Sequence, residues 1–100
     1  MKENEFKAFE FDINPHAPLF VIGVVSELID LPIWTLRKLD ELGVVQPKRI
    51  GSRTRCYSQQ QIIILNHVRY LIREKGINIK GVKMIIEMEY RQEDSHEDAD

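Results

Sequence analysis

Two helical signals separated by barely a turn constrain this chain more than anything else in it: "IGVVSELID" and "PIWTLRKLDELG", between Ile22 and Gly43. In the first, Val24, Val25, Leu28 and Ile29 recur at helical spacing and predict one apolar face. In the second, Ile33, Leu36, Leu39 and Leu42 predict an inward side. Pro32 suits the first helical position, and Gly43 suits the left-handed residue that closes a helix.

The next segment, "VVQPKRIGSRTRCY", breaks that period. It contains Pro47 and Gly51, with β-capable ends around Arg49-Ile50 and Cys56-Tyr57, and it predicts a two-stranded ribbon. Four of the eight residues from Lys48 to Arg55 are basic, namely Lys48, Arg49, Arg53 and Arg55, so the ribbon carries a basic tip. Helical spacing then returns in "SQQQIIILNHVRYLIREKG". Ser58 and Gln61 stand at capping-box spacing. Ile62, Leu65, Val68 and Ile72 line one side, Ile64 and Leu71 flank it, and Gly76 stops it. The four consecutive aliphatics alone would also suit a strand; the length of the pattern favours a helix. Asn78 is a suitable N-cap for a fourth helix with Ile79, Val82, Ile85 and Ile86 inward. Helix, turn, helix, basic ribbon, helix, helix describes an all-α fold with a small β-wing: a winged helix-turn-helix of four helices.

That unit is expected over residues 20–89. An arm over 1–19, with Phe6, Phe9, Phe11, Pro15 and Pro18, precedes it, and an acidic tail over 90–100 follows; neither is expected to fold alone. The net charge of -2 hides a segregation. Residues 20–86 hold 5 acids and 11 bases, net +6, whereas residues 87–100 hold 7 acids and 1 base, net -6. A basic body with an acidic tail suits a polyanion binder.

Other functions lack their residues. No unbroken apolar run, Ile62 to Leu65 included, approaches the length that spans a bilayer, so no membrane partner is expected. The N-terminus "MKENEFKAFEFD" has no apolar signal region, which makes a cytoplasmic location the default. Cys56 is the single cysteine, and His16, His67 and His96 lack ligand spacing, so no metal and no cofactor are expected. Cys56 reads as a strand residue facing the core. No paired carboxylates, nucleophile-base pair or glycine-rich phosphate loop points to an enzyme. Met84 and Met88, at i and i+4 off the aliphatic stripe, suit either a core edge or an adaptable partner surface.

The ordered set of residues resembles the DNA-binding domain of the MerR transcription regulators. Phe20, Ile22 and Gly23 stand at that family's Tyr-x-Ile-Gly. Thr35-Leu36-Arg37 with Asp40 stands at its Thr-Leu-Arg-x-Tyr-Glu/Asp, Gly43, Val44 and Pro47 at its Gly-Leu-x-x-Pro, and Arg55, Tyr57 and Ser58 at its Arg-x-Tyr-Ser. The stretch "EKGINIKGVKMIIEME" is similar to the end of the HspR-type heat-shock repressors, and the resemblance covers residues 20–89. It implies a sequence-specific regulator, a repressor of stress or chaperone genes, whose partner is double-stranded DNA. The second helix would enter the major groove, with Arg37 as a phosphate or base contact, and the wing would grip the backbone through Arg55 and Tyr57.

Trp34, Thr35 and Lys38 complete the expected helix contacts. Trp34 would either pack on a sugar or thymine methyl beside Arg37 and Lys38, or fold over the arm or the first helix and be mostly buried. Lys48, Arg49 and Arg53 complete the wing, where cations neutralise phosphates and release counterions. The chain departs from the pattern at Pro32, where a polar cap is usual, at Trp34, and at Leu39, where Tyr is frequent. The 11 residues after Glu89 are too few for a long dimerisation helix. Contact with a chaperone or a second copy would then fall to the fourth helix, through Met84 and Met88. The same fold also serves protein-binding modules that modulate a chaperone or co-chaperone, and accessory factors that bend DNA. Four basic wing residues favour DNA over the protein-binding alternative.

Overall fold

The computed structural model describes residues 13–51 and 53–91. The expectations for Phe6, Phe9, Phe11 and most of the acidic tail therefore lie outside the described residues, as does Ser52 at the wing tip.

The chain enters through β1 (Phe20–Val21) and passes directly into α1 (Ile22–Ile29). Asp30 ends α1 in the left-handed region (φ 56), its amide donating to the Ser26 carbonyl. The Ser26 hydroxyl donates to the carbonyl of Leu31, so the elbow is tied on both sides of Asp30. The next helix, α2, spans Ile33–Glu41. Pro32 does not occupy its first turn, as the sequence suggests. It is the N-cap, extended at ψ 149, and its carbonyl accepts from the amides of Thr35 (3.0 Å) and Leu36 (3.2 Å). Gly43 adopts φ 77. Its amide bonds to the Asp40 carbonyl and that of Val44 to the Leu39 carbonyl, a Schellman closure that only a residue without a Cβ makes unstrained.

Strands β2 (Lys48–Ile50) and β3 (Thr54–Tyr57) form the expected antiparallel hairpin, turned at Gly51 with φ 67. It is not a free two-stranded ribbon. β1 pairs with the far edge of β3, Phe20 opposite Tyr57 and Val21 opposite Cys56, giving a three-stranded sheet ordered β1-β3-β2. The extra strand satisfies backbone groups that β3 would otherwise leave open.

Helix α3 (Gln59–Arg73) starts with the anticipated capping box, each of Ser58 and Gln61 bonding the other's backbone amide. The Gln61 amide group also donates to the Gln46 carbonyl (2.7 Å), which fastens the base of the hairpin to α3. The Gln60 amide donates to the Pro15 carbonyl (3.0 Å), so the end of the arm lies across the same helix start. Helix α4 (Ile79–Ile86) is capped by Asn78, whose side chain accepts from the Gly81 amide, and continues into a π-helical turn (Glu87–Arg91).

The core joins Val25 and Ile29 of α1, Leu36 and Leu39 of α2, Tyr57 of β3, Leu65, Val68 and Leu71 of α3, and Val82 and Ile86 of α4. Each fully buried aliphatic side chain contributes about 1.5–3 kcal/mol of transfer free energy. The inward faces are narrower than the sequence suggests. Val24 and Leu28 are 46% and 61% exposed, and Ile33 is 37% exposed. An eight-residue helix packed on neighbours along one stripe can bury an i, i+4 pair but not the adjacent pair as well. On α3, Leu71 is buried and Ile72 only half-buried, the reverse of the expected ranking. Cys56 is buried, but alternation places it on the sheet face opposite the core residue Tyr57. Among the described residues no helix is long and apolar enough to cross a membrane.

Candidate nucleic-acid interface

Helix α2 presents two unlike faces. Thr35, Leu36, Leu39 and Asp40 are buried, while Trp34, Arg37 and Lys38 share the outer face at i, i+3 and i+4. Trp34 is 66% exposed, where an apolar ring meets water unless something covers it. It forms one wall of an open apolar groove of about 500 Å³, shared with Leu31, Pro32, Ile72, Ile77 and Ile79. Thr35, expected among the DNA contacts, is instead 5% exposed and faces inward, so its hydroxyl is not presented on the outer face.

The elbow between α1 and α2 is oriented by α3. Arg73 donates to the Asp30 carboxylate at 2.7 Å, and Arg69 stands at 3.9 Å. The Arg73 hydrogen bond, and then its charge, hold the Asp30 carboxyl below the usual carboxylate range. The Asp30 side chain is largely exposed, so this pair orients the elbow and adds little stability. On the other side of α3, His67 bonds Glu89 of the π-helical turn (3.0 Å) and stacks on Tyr70. It is a packing histidine.

The wing divides its cations. Lys48 and Arg53 are exposed and make no ion pair among the described residues. Arg49 and Arg55 stand directly opposite each other in the ladder. Both reach one oxygen, Oδ2 of Asp40, at 3.3 Å and 2.7 Å. The Arg49 side chain remains 49% exposed, but that of Arg55 only 17%. Arg55, expected as a wing contact, thus has its Nε engaged by Asp40 within the protein. The wing role expected of Tyr57 is corrected. It is fully buried, and its hydroxyl has no hydrogen-bond partner among the described residues. Burial, and then the charge of Asp40, push its pKa up to about 12, against the opposing pull of Arg55 and Arg49.

Of the nine residues singled out from the sequence, six reach the surface with cationic or aromatic groups: Trp34, Arg37, Lys38, Lys48, Arg49 and Arg53. They lie on α2 and the β2–β3 hairpin, two elements joined through Asp40. Asp40 itself carried no predicted role. Its sequence signals are its place at the Glu/Asp position of the family pattern and its position on a helix immediately ahead of a four-cation ribbon.

The profile of the MerR HTH family regulatory proteins matches residues 20–89. The Streptomyces coelicolor relative that bears the heat shock protein name HspR is 40% identical over 79 residues, 79% of this chain and 52% of that protein. The HTH-type transcriptional regulators GlnR of Bacillus anthracis and Bacillus cereus are 32% identical over 76 residues, 76% of this chain and 58% of theirs. The chain thus spans about half the length of the curated relatives it matches. Both the winged helix-turn-helix geometry and the match across it lead to one statement: this chain belongs to the MerR HTH family of regulatory proteins.

Proposed function

We propose that this chain binds double-stranded DNA with sequence specificity and regulates transcription. Helix α2 enters the major groove with Trp34, Arg37 and Lys38 leading, and the β2–β3 hairpin follows the neighbouring phosphates with Lys48, Arg49 and Arg53. The observation that carries this reading is the pairing of a basic-aromatic helix face with exposed cations on an adjoining ribbon. A rigid helix reads base edges, while flanking cations supply most of the affinity by releasing counterions. Residues 20–89 are the DNA-binding unit, with the arm of 1–19 and the tail of 90–100 outside it. The role is binding rather than catalysis. The finer role is that of a cytoplasmic repressor of stress or chaperone genes, and the heat shock name of the HspR relative supports its link to stress. Met84 and Met88, 65% and 63% exposed on consecutive turns, favour a weak contact with a second copy once both are on DNA.

The test is selection of bound fragments from genomic DNA, followed by salt titration of the selected site. A recurring sequence should enrich. Replacing Lys48 and Arg53 with Ala should weaken binding to all DNA and flatten the slope of log affinity against log salt by about 0.9 per lost contact. An unchanged slope in a folded double variant removes the wing from the interface. Failure of any fragment to enrich overturns the DNA reading and favours a protein-binding module.

A further inference from the structure

Arg49 and Arg55 occupy directly opposed positions of an antiparallel ladder, where like charges repel. A single carboxylate oxygen of Asp40, on the last turn of α2, accepts from both. Asp40 is 9% exposed, so its charge sits largely out of water and depends on these partners. The two bonds are unequal. Arg55 Nε lies at 2.7 Å with its side chain mostly covered, the geometry of a strong charge-assisted bond. Arg49 Nη2 lies at 3.3 Å with half of its side chain in solvent.

We propose that Asp40 is a positioning residue for DNA recognition: through Arg55 it locks the wing at a fixed angle to α2, and it holds Arg49 as a loosely bound cation that transfers to a DNA phosphate. The proposal rests on the DNA-binding reading. A carboxylate that grips both strands of the hairpin limits its roll against the helix. Base contacts from α2 and phosphate contacts from the wing are then made in one register, and that register is what distinguishes a cognate site from other DNA. The same carboxylate is a negative charge beside a polyanion, so it lowers affinity for DNA in general. Asp40 raises discrimination while reducing non-specific binding. A side chain that merely supported the fold would raise both or neither.

The experiment uses the full chain with Asp40→Asn, Arg55→Gln and Arg49→Gln. Without DNA, amide hydrogen exchange in β2 and β3 should accelerate tenfold or more in Asp40→Asn and Arg55→Gln. It should stay near wild type in Arg49→Gln, and α3 and α4 should remain protected in all three. With DNA, Asp40→Asn should bind random duplex several-fold more tightly and steepen the salt slope by about 0.9 as the released Arg55 guanidinium finds a phosphate beside the one Arg49 already reaches. Its ratio of selected-site to random-duplex affinity should fall tenfold or more. Arg55→Gln should lower that ratio without flattening the slope; Arg49→Gln should flatten the slope by about 0.9 and keep the ratio. Wild-type hairpin protection in Asp40→Asn, or weaker random-duplex binding with an unchanged slope, overturns the proposal. If Asp40→Asn loses protection throughout, Arg55→Gln decides: loss confined to the hairpin supports the clamp, and full hairpin protection sinks it. A wild-type chain that enriches no DNA refutes the functional reading and the transfer of Arg49, while the exchange data still decide the clamp.

Discussion

Tyr57→Phe should stabilise this protein and leave its DNA binding unchanged. The hydroxyl is fully buried and has no hydrogen-bond partner among the described residues. Keeping such a group out of water costs roughly 1–3 kcal/mol. Removing it forfeits only the packing of one oxygen atom, so a net gain of about 1 kcal/mol is expected at pH 7. In a domain this small that raises Tm by roughly 4–8 °C. The alkaline limb gives a second, independent reading. The fold raises the Tyr57 pKa from 10.0 to about 12, so it favours the neutral phenol. The corresponding stability is fully present below pH 10 and is lost as pH rises from 10 toward 12. Its upper bound, about two units, is roughly 2–3 kcal/mol. The Phe variant lacks this loss, so its advantage over wild type should widen across that window. Urea denaturation followed by far-ultraviolet circular dichroism, at pH 7 and at steps between pH 9 and pH 12, measures both effects. A Phe variant that is less stable by 1 kcal/mol or more, or that binds its selected DNA tenfold more weakly, would falsify the reasoning, because the hydroxyl would then have a partner.

Trp34→Ala should change stability by less than about 0.5 kcal/mol, since the side chain is exposed, yet cost roughly 1–3 kcal/mol of DNA affinity. Emission from this sole tryptophan should shift or quench on titration with the selected DNA; a spectrum unmoved at saturation places Trp34 away from the groove. Asn78→Ala removes the side chain that caps α4 and should lower stability by about 1 kcal/mol in thermal denaturation, with no change in the salt slope of DNA binding.

What the sequence makes legible here is local chemistry. Ser58 with Gln61, Asn78, and Gly43 mark helix ends because capping depends on residues within one turn of each other. The division of Val24, Val25, Leu28 and Ile29 into an exposed and a buried pair is not local. It depends on where α2, α3 and β3 pass, and four aliphatics in an eight-residue helix are equally compatible with either choice. Strand β1 is two residues long, too short to show a period, and exists through its partner β3. The site divides in the same way. An outward Trp34 and a basic wing follow from spacing and composition. The engagement of Arg55 depends on Asp40, which reaches it only across the folded structure, and the burial of Tyr57 depends on the core that α1, α2 and α3 close around it.

Strand β3, central in the sheet, has two edges that differ greatly in sequence separation. Its pairing with β2 closes a hairpin tip of a few residues, a step that needs little chain entropy and no other part of the molecule. Its pairing with β1 closes a loop that contains both α1 and α2. That edge can zip only when the two helices have already folded back between its strands, so it completes late and cooperatively with them. The hairpin can therefore close before α2 has a fixed place, whereas the pairing of Phe20 and Val21 with Tyr57 and Cys56 requires it.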